Sequence, residues 1–164
     1  MIREIIHDPI FLQQKSREAT PEDLPVAADL QDTLCACMDR CAGMAANMIG
    51  EKIRIIAFCN GPLIAVMMNP KIISKSGEYF AEEGCLSLSG VRKTRRYRKI
   101  TVAWQDMEMK HRMNKLEGFA AQIVQHEIDH CDGILIRRRT YKDFFHEKGC
   151  FFRPNMILCH AMVF

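Results

Sequence analysis

The sequence has 164 residues, of which 48% are hydrophobic and 26% charged, and its formal net charge at pH 7 is +3. These values predict a single globular domain over 1–164 with a real core, and they exclude a disordered chain and give no indication of a DNA partner. No apolar stretch approaches the roughly 18 residues of a membrane-spanning helix, and no export signal is evident, so we expect a cytoplasmic protein without a membrane partner and with reduced cysteines.

The first third of the chain predicts one helix between two irregular stretches. Residues 1–19 look extended and are broken at Asp8-Pro9. Thr20 with an acid three positions later is a helix-start signature. Apolar residues then follow at helical spacing, at Val26, Ala27, Leu30, Leu34, Met38 and Cys41. The small, glycine-bearing residues 41–50 predict a tight turn into a strand.

The middle of the chain predicts strands, and a long helix follows them. Residues 53–59 and 63–69 flank Asn-Gly-Pro and predict a hairpin. Residues 79–89 predict a turn and a short strand, and residues 100–104 another strand. A helical pattern then begins at Leu116 and stops at Asp132-Gly133. The fold class is therefore α+β, with mixed or antiparallel strands around one buried helix and the first helix packed outside. The apolar residues 149–164 predict an added strand, a dimer contact or an extension.

The long helix carries the sequence QHEIDH at 125–130. His126 and His130 are one helical turn apart, so both imidazoles can point at a common ion, while Glu127 projects to the side as a general base. The alternative is a surface helix with two solvated histidines. Because the apolar pattern predicts a buried helix, a divalent cation is the better compensation for these polar groups.

The third metal ligand has two candidate sources. A metalloprotease with this motif takes it from downstream, where residue 136 is isoleucine and Glu147 is the only remaining glutamate. Upstream, Cys85 in the sequence EGCLS offers a thiolate next to a glycine turn, and a site with two imidazoles, one thiolate and one open position has the form of a catalytic centre. The alternative role for Cys85 is a buried core thiol.

At this point the chain resembles the peptide deformylases. The three motifs of that family stand in its order, as GMAA at 43–46, EGCLS at 83–87 and QHEIDH at 125–130. The resemblance implies that Cys85, His126 and His130 bind one divalent metal ion, Fe2+ or Zn2+. It also implies hydrolysis of the N-formyl group from formyl-Met nascent peptides, with Glu127 as acid/base and the Leu86 N–H stabilising the oxyanion. Implied substrate contacts, some also consistent with core or surface roles, are Gly43, Met48, Arg92, Phe119 and Ile123.

The first motif departs from the family pattern at two positions. A glycine is replaced by Cys41, and a glutamine that donates a hydrogen bond to the oxyanion is replaced by Met48, whose thioether cannot donate. Asn47 has an amide but is one residue away. Two hypotheses follow: an enzyme with reduced turnover, or a silent protein that binds formylated peptides or a ribosomal partner.

A basic run at 92–99 has six basic residues in eight. It is consistent with a transient contact to ribosomal RNA or with attraction to the peptide carboxylate, but a solvated loop and edge strand is the favoured interpretation.

Overall fold

The computed structural model describes residues 1–136. Its helices are α1 (Pro9–Leu12), α2 (Leu24–Ala36) and α3 (Gly118–Cys131), with 3-10 turns at Pro21–Asp23 and Ala46–Ile49. Its strands are β1 (Gly43–Ala45), β2 (Ile55–Asn60), β3 (Leu63–Cys85), β4 (Leu88–Gln105) and β5 (His111–Glu117). The strands pair antiparallel in one sheet, in the order β1-β2-β3-β4-β5. The α+β class is confirmed.

Two local predictions are confirmed where the sequence chemistry is specific. The β2–β3 hairpin turns through Gly61, whose φ of 64° suits glycine, and Asn60 pairs with Leu63. At the start of α2, the Asp23 carboxylate accepts a hydrogen bond from the Thr20 backbone N–H at 2.8 Å, the capping-box arrangement. The helix that follows ends at Ala36, so Met38 and Cys41 lie beyond it.

Other boundaries differ from the sequence prediction. Pro9–Leu12 forms a helical turn inside the stretch expected to be extended, with the Asp8 side chain as its cap. The strand predicted at 100–104 is the end of β4, which has 18 residues, and β3 before it has 23. The turn expected within 79–89 is only Leu86–Ser87, between these two strands. Strand β5 was not predicted, and α3 begins at Gly118 because β5 continues to Glu117.

The core lies on both faces of the sheet. Strand β2 alternates, so that Ile55 and Ala57 face one apolar cluster with α2, while Ile56 and Phe58 face a second cluster with α3. Helix α2, which is the first helix predicted from the sequence, therefore packs on one face of the sheet, outside the part that encloses α3, as expected. Helix α3 packs on the other face. Burial of α3 is what brings His126 and His130 out of bulk water.

Two further predictions concern the limits of the chain. None of the helices within 1–136 is long and apolar enough to cross a membrane. The apolar segment 149–164 and Glu147 lie outside the described residues, so the expectations for them stay predictions.

Candidate metal centre

Three predicted ligands meet between the β3–β4 turn and α3. One donor atom from each of Cys85, His126 and His130 lies within 4.8 Å of the other two. Cys85 Sγ is 3.3 Å from His130 Nε2. A thiolate and two imidazoles grouped this closely match the donor set of a tetrahedral zinc or iron site with one open position.

The fold explains why these side chains converge. His126 and His130 are four residues apart on α3, and their ring centroids are 5.1 Å apart on the same face. Cys85 is the last residue of β3, immediately before the turn into β4. Strand β4 of this hairpin packs against α3, which brings the Cys85 thiol to the two rings.

Behind His126 lies a buried ion cluster that sequence analysis missed. Glu83 Oε2 is 3.0 Å from His126 Nδ1, and both carboxylate oxygens of Glu83 accept hydrogen bonds of 2.8 Å from Arg96. Arg96 also donates to Asp129 on α3 at 2.6 Å. Because Nδ1 of His126 is engaged by the carboxylate, its Nε2 is the nitrogen left for a metal. The sequence signal was the position of Glu83, two residues before Cys85 on the same strand.

The electrostatics of the cluster differ between the two histidines. Burial opposes ionisation of Glu83, but hydrogen bonds from His126 and Arg96 lower its pKa to about 2. Burial likewise opposes charge on His126, but its hydrogen bonds to Cys85 and Glu83 raise its pKa to about 10. Burial and the nearby charges of His126 and Arg96 lower the pKa of His130 to about 3, so this ring is neutral. A neutral imidazole keeps the lone pair that a metal requires, so His130 is ready to bind, whereas His126 must release its Nε2 proton when a metal binds.

Glu127 lies beside the cluster and is not one of its three donors. Its side chain is buried, and burial raises its pKa to about 7. Among the described residues, its Oε2 has no hydrogen-bond partner, as expected of an oxygen reserved for substrate or water. It packs against Gly43, where an added Cβ would lie 2.9 Å from Glu127 Oε1.

A cavity of about 490 Å³ opens beside the cluster. It is lined by most of the residues that the sequence assigned to the site: Gly43, Met48, Cys85, Leu86, Phe119, Ile123, His126 and Glu127. Arg40 and Cys41 also line it and were not assigned to the site. Arg92 does not line this cavity in the described structure; its guanidinium lies 3.4 Å from the Gly90 carbonyl, in the β3–β4 hairpin.

Two neighbouring residues of the first motif have separate roles. Met48 is 1% exposed, lies in the cavity wall, and its Sδ is 3.5 Å from the Ala45 backbone nitrogen. Asn47 turns the other way and donates hydrogen bonds to the carbonyls of His130 at 2.8 Å and Leu12 at 3.3 Å. The Asn47 amide is therefore engaged in holding α3, and Asn47 does not line the cavity.

The basic run at 92–99 lies within β4, and three of its six basic residues, Arg95, Arg96 and Lys99, form ion pairs. Arg95 is 3.8 Å from Glu78, and Lys99 forms a 3.0 Å ion pair with Glu117. Lys93 is the register partner of Glu82. Arg96 is buried, which corrects the expectation of a uniformly solvated run. The remaining members fit the favoured interpretation of a solvated edge better than an RNA-binding surface.

Comparison with known proteins gives one consistent result. The family model for polypeptide deformylases matches residues 2–143. The peptide deformylase of Clostridium beijerinckii is 51% identical over 136 residues, which cover 83% of this chain and 100% of that protein. Crystal structures of peptide deformylases from Legionella pneumophila and Thermus thermophilus superpose with TM-scores of 0.78 and 0.75, each at 32% identity. The match to the Legionella structure covers 90% of this chain and 92% of that one. The match to the Thermus structure covers 83% of each chain.

Proposed function

The chain belongs to the peptide deformylase family, metalloenzymes that remove the formyl group from nascent peptides, and from this premise we propose how its own residues perform the reaction. The observation that carries the proposal is the meeting of Cys85, His126 and His130 beside the buried Glu127. We assign the first three residues as ligands of one divalent ion and Glu127 as the acid/base. The carboxylate of Glu83 fixes the ring of His126 by accepting from its Nδ1.

The reaction is hydrolysis of a formamide. The chemistry that a divalent ion supplies when bound by such ligands is activation of water at neutral pH and polarisation of a carbonyl. Glu127 accepts the proton of the attacking water and returns it to the departing amine. The Leu86 backbone N–H, in the turn at the cavity wall, stabilises the oxyanion. The proton thus moves from water to the amine through one carboxylate.

The cavity wall supports methionine as the first residue of the substrate. Ile123, Phe119 and Met48 give it apolar sides, and the flexible thioether of a substrate methionine packs well against such residues. Phe119 is 66% exposed and so lies at the rim, whereas Met48 lies at the buried end. Gly43 allows the β1 backbone to approach Glu127 closely. We do not extend the substrate role to Arg92, because it lies away from the cavity lining.

We propose reduced turnover relative to an enzyme with a glutamine at position 48. Met48 cannot donate to the oxyanion, and the Asn47 amide donates to the carbonyls of Leu12 and His130. The metal ligands and Glu127 are in place, which favours a slow enzyme over a silent formyl-peptide binding protein. A metalloprotease is disfavoured because Cys85 completes the ligand set within the described residues.

The remaining assignments follow from the substrate. We propose that the ion is Fe2+ or Zn2+, since the donor set accommodates both. We place the reaction in the cytoplasm, where nascent formylated peptides are made, with at most a transient ribosome contact. We also propose that 1–164 forms one domain, which the family match over 2–143 supports.

The direct test measures formate released from a formyl-Met peptide by the metal-loaded protein. We expect measurable release from the natural chain and nearly none from Glu127→Gln, while metal content stays at one ion per chain in both. Loss of metal in Glu127→Gln would contradict its role as a base. No formate release from the natural chain, with Met48→Gln also inactive, would favour the silent binding protein.

The ligand set is tested by metal content. Cys85→Ser should lose most of its bound metal, whereas Cys35→Ser, at an exposed cysteine on α2, should keep it. Glu147→Ala tests the metalloprotease alternative. Metal retained in Cys85→Ser and lost in Glu147→Ala would overturn the assignment.

A further inference from the structure

Arg96 is unusual among the basic residues of β4 because it faces inward. It is 4% exposed, while its neighbour Arg95 has a side chain 58% exposed. Its guanidinium binds Glu83 through Nε and Nη2 and Asp129 through Nη1. Such fork geometry is specific to arginine, because the ammonium of lysine cannot form two parallel hydrogen bonds with one carboxylate.

The two partners of Arg96 belong to the two elements that carry the ligands. Glu83 is two residues before Cys85 on β3, and Asp129 lies between His126 and His130 on α3. Each acidic partner of the guanidinium therefore lies within a few residues of a metal ligand in the sequence. Glu83 also accepts from His126, so one carboxylate joins the arginine to a ligand directly.

We propose that Arg96 is a positioning residue of the metal centre, which holds Glu83 on the Nδ1 of His126 and fixes β3 against α3 at the spacing that the three ligands require. This inference deepens the proposed function and rests on its ligand assignment. Without the guanidinium, Glu83 loses both of its hydrogen bonds from Arg96. The His126 ring then loses its fixed orientation and the Cys85 thiol its fixed distance from the rings.

Electrostatic repulsion alone predicts the opposite change in metal affinity when Arg96 is replaced. Arg96 is a cation near a site for a cation, so removal of its charge alone should strengthen metal binding. Positioning predicts weaker binding, by about 10- to 100-fold, the usual effect of losing a partner of a metal-ligating histidine. The direction of the change therefore distinguishes positioning from electrostatic repulsion.

The experiment titrates the metal-free protein with Co2+ and follows the thiolate–cobalt absorption, with a competing chelator to obtain Kd. We expect Arg96→Met to weaken Co2+ binding by at least about tenfold. Arg96→Lys keeps the charge but loses the fork, and it should also weaken binding. Arg95→Met is the matched control on the exposed face and should bind within about twofold of the natural chain. Unchanged or tighter binding by Arg96→Met would overturn the inference.

Two further measurements separate positioning from a loss of folding. Thermal unfolding of each metal-free variant establishes that binding is measured on folded protein, and if Arg96→Met does not fold, Arg96→Lys decides. In the zinc-loaded natural chain, 15N NMR of labelled histidine should show the His126 proton on Nδ1, and this signal should shift or broaden in Arg96→Lys. An unchanged His126 signal together with unchanged Co2+ affinity in Arg96→Lys would refute positioning.

A double variant tests whether Arg96 acts through Glu83. Arg96→Lys added to Glu83→Gln should cost much less Co2+ affinity than it does alone, whereas two fully additive losses would refute the route through Glu83. A different result would contradict the proposed function itself. If the natural chain bound Co2+ without the thiolate absorption, Cys85 would not be a metal ligand.

Discussion

At the scale of single residues, Met48 is the position for which the resemblance to the family predicts the clearest functional consequence. Loss of one oxyanion donor typically lowers kcat by about 10²–10³. Met48 lines the cavity and is buried, so a glutamine of similar length can reach the same space. We therefore expect Met48→Gln to raise kcat for a formyl-Met peptide by at least about tenfold, with a smaller change in KM.

The control for Met48→Gln is Met38→Gln, at a methionine that is 44% exposed and outside the cavity lining. It should leave kcat unchanged. If the natural chain already turns over as fast as Met48→Gln, another donor must act on the oxyanion. Asn47 is not a candidate for that donor, because its amide is held by the Leu12 and His130 carbonyls.

The tight packing around Gly43 predicts that a substitution at this position lowers activity. A Cβ at this position would lie 2.4 Å from Ile123 Cγ2 and 2.9 Å from Glu127 Oε1, so these side chains must shift. We expect Gly43→Ala to lower kcat by at least about tenfold, since a displaced acid/base costs rate steeply. Metal content should stay near that of the natural chain, because the ligands are untouched. Full activity in Gly43→Ala would show that Glu127 tolerates displacement.

Residue chemistry determined how much of the site could be predicted. The spacing of His126 and His130 implies a shared ligand face in any helix, so the pair was recognisable without the fold. Arg96 was not, because its role depends on Glu83 and Asp129, which approach it only after β3, β4 and α3 have packed. In the sequence it is one more charge in a basic run.

At the scale of elements, the start of α2 predicts a pH dependence of stability. Hydrogen bonds from Arg17, opposed by burial, lower the pKa of Asp23 to about 2, against about 3.9 in an unfolded chain. A depressed pKa contributes stability above the unfolded pKa, and this contribution is lost as the pH falls from about 4 to about 2. Because the Arg17 side chain is 56% exposed, Asp23→Asn should lower the free energy of unfolding by about 1 kcal/mol at pH 7, and by progressively less as the pH falls below 4.

Urea unfolding of both proteins between pH 7 and pH 2.5 measures this difference. Asp39→Asn is the control. The Asp39 side chain is 73% exposed, and its ion pair with Arg40 is weak because the N–O distance is 3.6 Å and both side chains are solvated. Its effect should be near zero at every pH. If Asp23→Asn lowered the free energy of unfolding by the same amount at every pH, the role of Asp23 would not depend on its negative charge.

Elements were predictable where local signals are strong. The Asn-Gly-Pro turn and the capping box are short-range signals, and both predictions were right. Strand β5 and the first half of β4 are rich in charged, exposed residues, so they lack the apolar alternation that indicates a strand. Their extended form comes from pairing with neighbours that are distant in sequence.

At the scale of the whole molecule, the ligand set joins two parts of the fold. Cys85 is at the end of the β3–β4 hairpin, and both histidines are on α3. The direct ties between these parts include the ion pair of Arg96 with Asp129 and the pairing of the Gln125 side chain with the Tyr97 backbone, at 3.0 and 2.9 Å. A bound ion would add a further connection, made only in the folded state.

Metal binding should therefore stabilise the whole domain. An ion that binds only the folded chain contributes about 2.7 kcal/mol at a free concentration of 100 times its Kd. For a chain of this size that corresponds to a rise in Tm of roughly 5–10 °C. Calorimetry of the natural chain with Zn2+ and with a chelator should show this difference, and Cys85→Ser should show little of it. If Zn2+ raised the Tm of Cys85→Ser equally, the stabilising ion would be bound elsewhere, and the thiolate would not be one of its ligands.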